Sequence, residues 1–215
     1  MKFAELMPGP GLQCAIIGQT GSGKSIWLEK MIRYFDTQGL DGYRYPSLLL
    51  DYKHDMTFNR VGNIVTKGRD IASSIKKGGV TIYRPTGDEA RDADYQDEIL
   101  EWVYQHQSMI LSVDESKKLS RNPLVIGQGL DDICTRGRSK DILRMFGMQR
   151  PTGVARITLS ESTIFYVRFV VDKRDRQVIA GFSDESQAEK VPDKYGMRVT
   201  DIAKRRTWYF PHTPR

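Results

Sequence analysis

Apolar residues gather along this chain in short runs, most of which stop at a glycine or an acid. Gln13-Cys14-Ala15-Ile16-Ile17 ends at Gly18. A run of that length without polar alternation reads as a strand buried on both faces. Residues 47–50 end at Asp51, residues 80–83 close on Pro85-Thr86-Gly87, and residues 108–113 end at Asp114. Residues 142–148 and 163–170 supply a fifth and a sixth run. Helical spacing lies between them. Ile26, Leu28, Met31 and Ile32 mark residues 25–34, and Ile99, Leu100, Val103 and Tyr104 mark residues 92–106. Leu124, Ile126, Leu130 and Ile133 give residues 123–134 an apolar side, although Gly127 and Gly129 interrupt it. Trp208-Tyr209-Phe210 predicts an edge strand stopped by Pro211. Strands separated by helices need crossover connections, so the pattern predicts one α/β domain with a mainly parallel sheet covered on both faces.

Composition narrows the setting. At 215 residues, 39% hydrophobic and 28% charged, the chain has the balance of a globular protein with a sizeable core. No apolar run approaches the roughly 20 residues of a membrane span, and the first residues contain no apolar signal core. Two cysteines, Cys14 and Cys134, argue against a disulfide framework and for a reducing, cytoplasmic location. His54, His106 and His212 are scattered without metal-ligand spacing. The net charge of +6 is uneven: residues 136–215 hold 17 Lys and Arg against 9 Asp and Glu. A basic C-terminal portion suits a polyanionic partner, because neutralised phosphates release counterions; a solvated basic surface is the plainer alternative.

The chemistry centres on Gly18-Gln19-Thr20-Gly21-Ser22-Gly23-Lys24-Ser25. This segment matches the phosphate-loop pattern at every required position, directly after a buried strand and directly before a helix. Its glycines let backbone N–H groups turn around an anion, and the helix adds its positive end. Lys24 is expected on the β- and γ-phosphates and the Ser25 hydroxyl on Mg²⁺. Asp114-Glu115 ends a strongly apolar strand, where open α/β sheets bind ligands. Asp114 is placed to hold Mg²⁺ with Ser25, and Glu115 to orient water as a general base.

Further candidates follow in chain order. Arg136 and Arg138 flank Gly137 on what reads as a loop after a helix, where they could act as an arginine finger on a neighbouring subunit or simply be solvated. Gln149 ends the next strand, where an amide can bond both the γ-phosphate and its attacking water, or merely cap the strand. Lys117, Lys118 and Arg121 form a basic patch able to touch DNA phosphates, with a solvated loop equally compatible. Asp51-Tyr52-Lys53-His54-Asp55 also ends a strand and can line the cleft, with no reaction role assigned.

The order of these features resembles the FtsK-HerA superfamily of DNA-pumping ATPases. A phosphate loop leads to a strand ending Asp114-Glu115, then to Thr135-Arg136-Gly137-Arg138 and a strand ending Gln149-Arg150-Pro151. The small size is similar to the viral genome-packaging branch, and the likeness covers roughly residues 13–170. It implies a three-layer P-loop fold of the RecA/ASCE type, with the basic segment 171–215 attached to the same domain. It also implies ATP and Mg²⁺ as ligands, a homo-oligomeric ring, and double-stranded DNA and a capsid or portal vertex as partners. Glu115 becomes the base, Gln149 the phosphate sensor, and Arg136 or Arg138 the finger in trans. Two alternatives stand beside a packaging motor: a cellular or plasmid conjugation pump, and a P-loop small-molecule kinase, against which the adjacent Asp114-Glu115 speaks.

Overall fold

The computed structural model describes residues 3–183, 190 and 192–211; His212 lies outside them. Nine strands form one sheet: β1 (Gln13–Ile17), β2 (Ser47–Leu50), β3 (Asn63–Val65), β4 (Val80–Tyr83), β5 (Ile110–Val113), β6 (Leu143–Met148), β7 (Ile164–Val167), β8 (Met197–Asp201) and β9 (Arg206–Phe210). Their order across the sheet is β3-β4-β2-β5-β6-β1-β7-β8-β9. The first seven run parallel, and β8 and β9 close one edge as an antiparallel hairpin. The expected α/β fold with a mainly parallel sheet is borne out.

Pleating sorts the strand residues alternately onto the two faces. Cys14, Ile16, Leu49, Met145 and Tyr166 join one core cluster, while Ala15, Ile17, Leu50, Phe146 and Val167 join the other. Helix α1 (Lys24–Gln38) covers the first face with Trp27, Leu28, Met31, Ile32 and Phe35. Helices α2 (Ile71–Lys76), α3 (Ala93–His106), α4 (Gln128–Arg136), α5 (Ile157–Ser160) and α6 (Lys173–Phe182) complete the set. Of these, α3 and α4 bury Ile99, Leu100, Val103, Leu130 and Ile133 against the second face. Because both faces are covered, the runs read from the sequence are uniformly apolar rather than alternating.

Several boundaries differ from the sequence reading. The helix expected over residues 123–134 starts at Gln128 instead. Before it, the Asn122 carboxamide oxygen accepts from the Leu124 and Val125 N–H groups and turns the chain, leaving Leu124 exposed. The two glycines mark a close approach rather than a weakness. The Asp97 carboxylate of α3 caps α4, accepting from Gly129 N at 2.9 Å and Leu130 N at 2.8 Å, and a Cβ on Gly127 would collide with it. The run from residue 108 enters the sheet only at Ile110, because Gln107 and Ser108 take positive φ of 55° and 42°. The last parallel strand stops at Val167, shorter than the expected 163–170. The predicted edge strand is β9, which ends at Phe210, directly before Pro211.

Candidate functional site

Parallel strands bring every strand end that the sequence marked to one edge of the sheet. β1 and β5 flank β6, so the phosphate loop after β1, the acids after β5 and Gln149 after β6 lie side by side. The loop is held at its base by Gly18 N donating to Met148 O at 3.1 Å and Gln19 N donating to Phe169 O at 3.1 Å. Gly23 takes φ 86°, a conformation that favours glycine. Gly18 lies so close to Arg168 that an added Cβ would sit 2.7 Å from that side chain. Arg168 itself is buried beneath the loop and donates from Nε to Ser22 O at 2.9 Å; burial lowers its pKa.

Lys24 and Asp114 form the centre. Lys24 Nζ lies 2.5 Å from Asp114 Oδ1 and donates to the Asp114 main-chain oxygen at 2.9 Å. Both side chains are buried, at 4% and 0% exposure. Ser25 Oγ donates to the same Oδ1 at 3.2 Å. Asp114 Oδ2 is buried and has no hydrogen-bond partner. A buried carboxylate oxygen left over beside a hydroxyl is the donor set of a hard cation that keeps waters and takes substrate phosphates, so the residues fit Mg²⁺. Gly147 lets this strand end close tightly, since a Cβ there would meet the Val113 and Asp114 carbonyl oxygens at 2.7 Å. Glu115 stands next to the pair and meets Lys53 Nζ at 2.5 Å through Oε2.

A cavity of about 340 Å³ opens over the loop, lined by Gln19, Thr20, Lys24, Ser25, Lys53 and Gln149, with Asp55, Thr57, Arg168 and Tyr195 completing it. Asp55 is one of its carboxylates. Burial raises its pKa, but the Thr57 N–H and hydroxyl, the Ser25 hydroxyl and the Lys24 charge together hold the carboxyl below the usual range. Asp51, fully buried behind it, is pushed up by burial despite accepting from Arg84 Nε at 2.7 Å. At the mouth, Ile26 and Tyr195 are 51% and 58% exposed and offer apolar surface beside the phosphate loop.

No protein-family model matches the chain. Over 180 residues it is 28% identical to the DNA packaging ATPase P9 of Enterobacteria phage PRD1, covering 82% of this chain and 72% of that relative. The genome packaging NTPase B204 from Sulfolobus turreted icosahedral virus 2, solved in complex with ATP-gammaS, superposes with a TM-score of 0.75. That match spans 95% of this chain and 98% of B204 at 14% identity. The fold is that of the viral genome-packaging ATPases. The likeness to them expected from the sequence is therefore borne out. The pCW3 conjugation coupling protein TcpA shares the fold more distantly, with a TM-score of 0.65, 13% identity, and coverage of 95% of this chain and 61% of TcpA.

Within this packaging-ATPase fold the remaining sequence candidates separate by position. Gln149 lines the cavity. Arg136 is not on a loop. It is the last residue of α4, exposed and paired with Asp132 one turn earlier at 3.1 Å, and Arg138 follows in a 3-10 turn, Gly137–Lys140. This turn abuts the amino ends of β1 and β6: a Cβ on Gly11 would meet the Arg138 carbonyl oxygen at 2.8 Å. Both arginines thus lie at the sheet edge opposite the phosphate loop of their own chain. Arg144 anchors that edge, donating to Gly11 O at 3.0 Å and Ile142 O at 2.9 Å, with its pKa lowered to about 10 by burial. Lys117 and Lys118 are exposed in the 3-10 turn Ser116–Leu119, whereas Arg121 pairs with Asp94. Arg168 and Tyr195 escaped the sequence reading, since neither belongs to a local pattern. Lys53 and Asp55 were legible only as part of a polar cluster ending a strand.

Proposed function

We propose that this chain is an ATP-hydrolysing motor subunit that drives double-stranded DNA into a viral capsid. The observation that carries the reading is the Lys24–Asp114 pair at 2.5 Å, with Ser25 on the same carboxylate, beneath a phosphate loop that opens into a cavity. The loop N–H groups, Lys24 and the helix start of α1 bind the β- and γ-phosphates. Ser25 and Asp114 hold Mg²⁺, which when bound offsets phosphate charge. Glu115 orients a water and takes one of its protons as the water oxygen bonds to the γ-phosphorus. The bond from that phosphorus to the bridging oxygen breaks, and ADP leaves with the electron pair. Gln149, at the tip of the strand between loop and acids, bonds the γ-phosphate and the water.

Arg136 and Arg138 lie at the opposite strand ends from their own phosphate loop, so a catalytic role for either requires a neighbouring subunit, as in a ring. Such a finger stabilises transition-state charge and ties turnover to assembly. Lys117 and Lys118 stand free to meet DNA phosphates, and the hairpin tip Lys204-Arg205-Arg206 adds exposed basic residues. A conjugation-type pump is the second reading, supported by the fold shared with TcpA. Phosphate release measured across protein concentration, with and without duplex DNA, tests the motor. The expected result is turnover that rises more than linearly with subunit concentration and is stimulated by duplex. Phosphoryl transfer to a small acceptor without hydrolysis in water would refute it.

A further inference from the structure

Two glycines of the phosphate loop close on one side chain. A Cβ added to Gly18 would sit 2.7 Å from Arg168 Cβ, and one added to Gly23 would sit 2.7 Å from its Nη2. The loop is wrapped around an arginine that comes from the adjacent strand. Arg168 follows β7, and the main chain sets its place. Its N–H donates to Ile17 O at 2.7 Å, and Phe169 O accepts from Gln19 N at 3.1 Å. These bonds carry the β1–β7 pairing past the strand ends into the loop. The side chain is almost wholly buried. Its Nε donates to Ser22 O at 2.9 Å and its Nη2 to Tyr195 O at 3.2 Å.

The bond to Ser22 O fixes the direction of the next N–H. In a planar trans peptide the C=O and N–H point opposite ways, and no cis peptide occurs among the described residues. With Ser22 O drawn inward to Arg168, the Gly23 N–H turns outward, to the cavity that Gly23 helps to line. We propose that Arg168 is the positioning residue of the phosphate loop: its Nε holds the Ser22–Gly23 peptide with the N–H presented to a β-phosphate before nucleotide arrives. This rests on the reading of the site as an ATPase. Gly23 has no side chain to restrict its rotation, so the peptide before it needs an outside hold. A loop already set pays little ordering cost when phosphate binds. A guanidinium suits the task, because its rigid fork takes the loop with one N–H and the Tyr195 main chain with another.

Three replacements of Arg168 separate this role from charge and from packing. Glutamine places its Nε2 donor where Arg168 Nε stands but carries no charge. Methionine puts a methyl group at that point, and lysine a methylene with the charge kept. Equilibrium binding of Mg-ADP is the readout. Arg168→Gln is expected to bind within about threefold of wild type, and Arg168→Met and Arg168→Lys about tenfold or more weakly. The loop holds the β-phosphate alike in ground and transition states. Arg168→Met is therefore expected to raise the KM for ATP by a similar factor while kcat stays within about threefold. Binding by Arg168→Met within about twofold of wild type overturns the proposal, as does a kcat that falls with KM unchanged. If Arg168→Met does not fold, the other two decide: ADP held more tightly by Arg168→Gln than by Arg168→Lys sustains the role, and the reverse or equality overturns it. Those failures, with wild type still hydrolysing ATP, condemn the role of Arg168 alone. A wild-type chain that binds neither ADP nor ATP removes the ATPase reading, and this proposal with it.

Discussion

Replacing Glu115 by glutamine separates binding from chemistry at this site. The substitution keeps the side-chain shape and removes the charge that meets Lys53. That pair is partly exposed, so its loss costs roughly 0–1 kcal/mol, or at most about 2–4 °C in Tm for a chain of this size. The Lys24–Asp114 centre and the phosphate loop are untouched. Nucleotide at 100 times its Kd therefore still adds about 2.7 kcal/mol, which corresponds to roughly 5–11 °C. Turnover, by contrast, should fall by about 10²–10⁴, the usual contribution of a positioned base. Thermal melts with and without Mg-ATP, paired with phosphate release on the same samples, read both quantities. Phosphate release within threefold of wild type would take the base role from Glu115. Loss of the nucleotide-induced shift along with turnover would make Glu115 part of the binding frame.

The other predictions concern neighbouring parts of the molecule. Lys24→Ala leaves the fully buried Asp114 without its cation, so the nucleotide-free chain should lose about 3–5 kcal/mol in denaturant titration, and Mg-ATP should no longer raise its Tm. A Lys24→Ala chain with wild-type hydrolysis would dismiss the phosphate-loop assignment. Arg136→Ala or Arg138→Ala subunits should each fold normally, since both side chains are exposed. Whichever carries the finger should regain turnover when mixed with Glu115→Gln subunits, and no recovery with either variant at any ratio would remove the trans role. Burial pushes the Cys134 thiol up to about 12 and Cys14 further still. A thiol reagent at pH 8 should therefore label neither in the native chain and both once it is unfolded, and prompt native labelling would contradict the packing described for β1 and α4.

Local chemistry was what the sequence made readable. Residues 13–17, 47–50 and 80–83 were located to the residue because strands covered on both faces are continuous apolar runs with sharp polar ends. The same ends delivered Gly18–Ser25 and Asp114-Glu115, since ligand-binding residues of a parallel sheet sit where its strands stop. Contacts made across distant segments were invisible. The Asp97 cap that delays α4 joins residues more than thirty positions apart, and Arg168 reaches the phosphate loop from nearly 150 positions away. β3 was missed because it is three residues long and mostly exposed, and α2 because six residues are too few to display a helical period. β8 was missed because it buries Arg198, Thr200 and Asp201 and so breaks the apolar pattern. Arg136 fell on a helix rather than the expected loop because α4 runs on to it and the chain continues through Gly137, packed close under the Arg144 guanidinium, into a 3-10 turn.

β6 runs the full depth of the sheet, six residues buried throughout. At about 3.3 Å per residue it is a strut of roughly 20 Å. One end carries Gln149 into the nucleotide cavity, and the other begins three residues past the turn bearing Arg138. Paired with β5 on one side and β1 on the other, this strut sits in a close-packed interior, which transmits strain. Departure of a phosphate at one end would thus be felt at the opposite rim without any hinge between. If subunits stand rim to mouth around a ring, each firing site has a built-in pushrod aimed at the next.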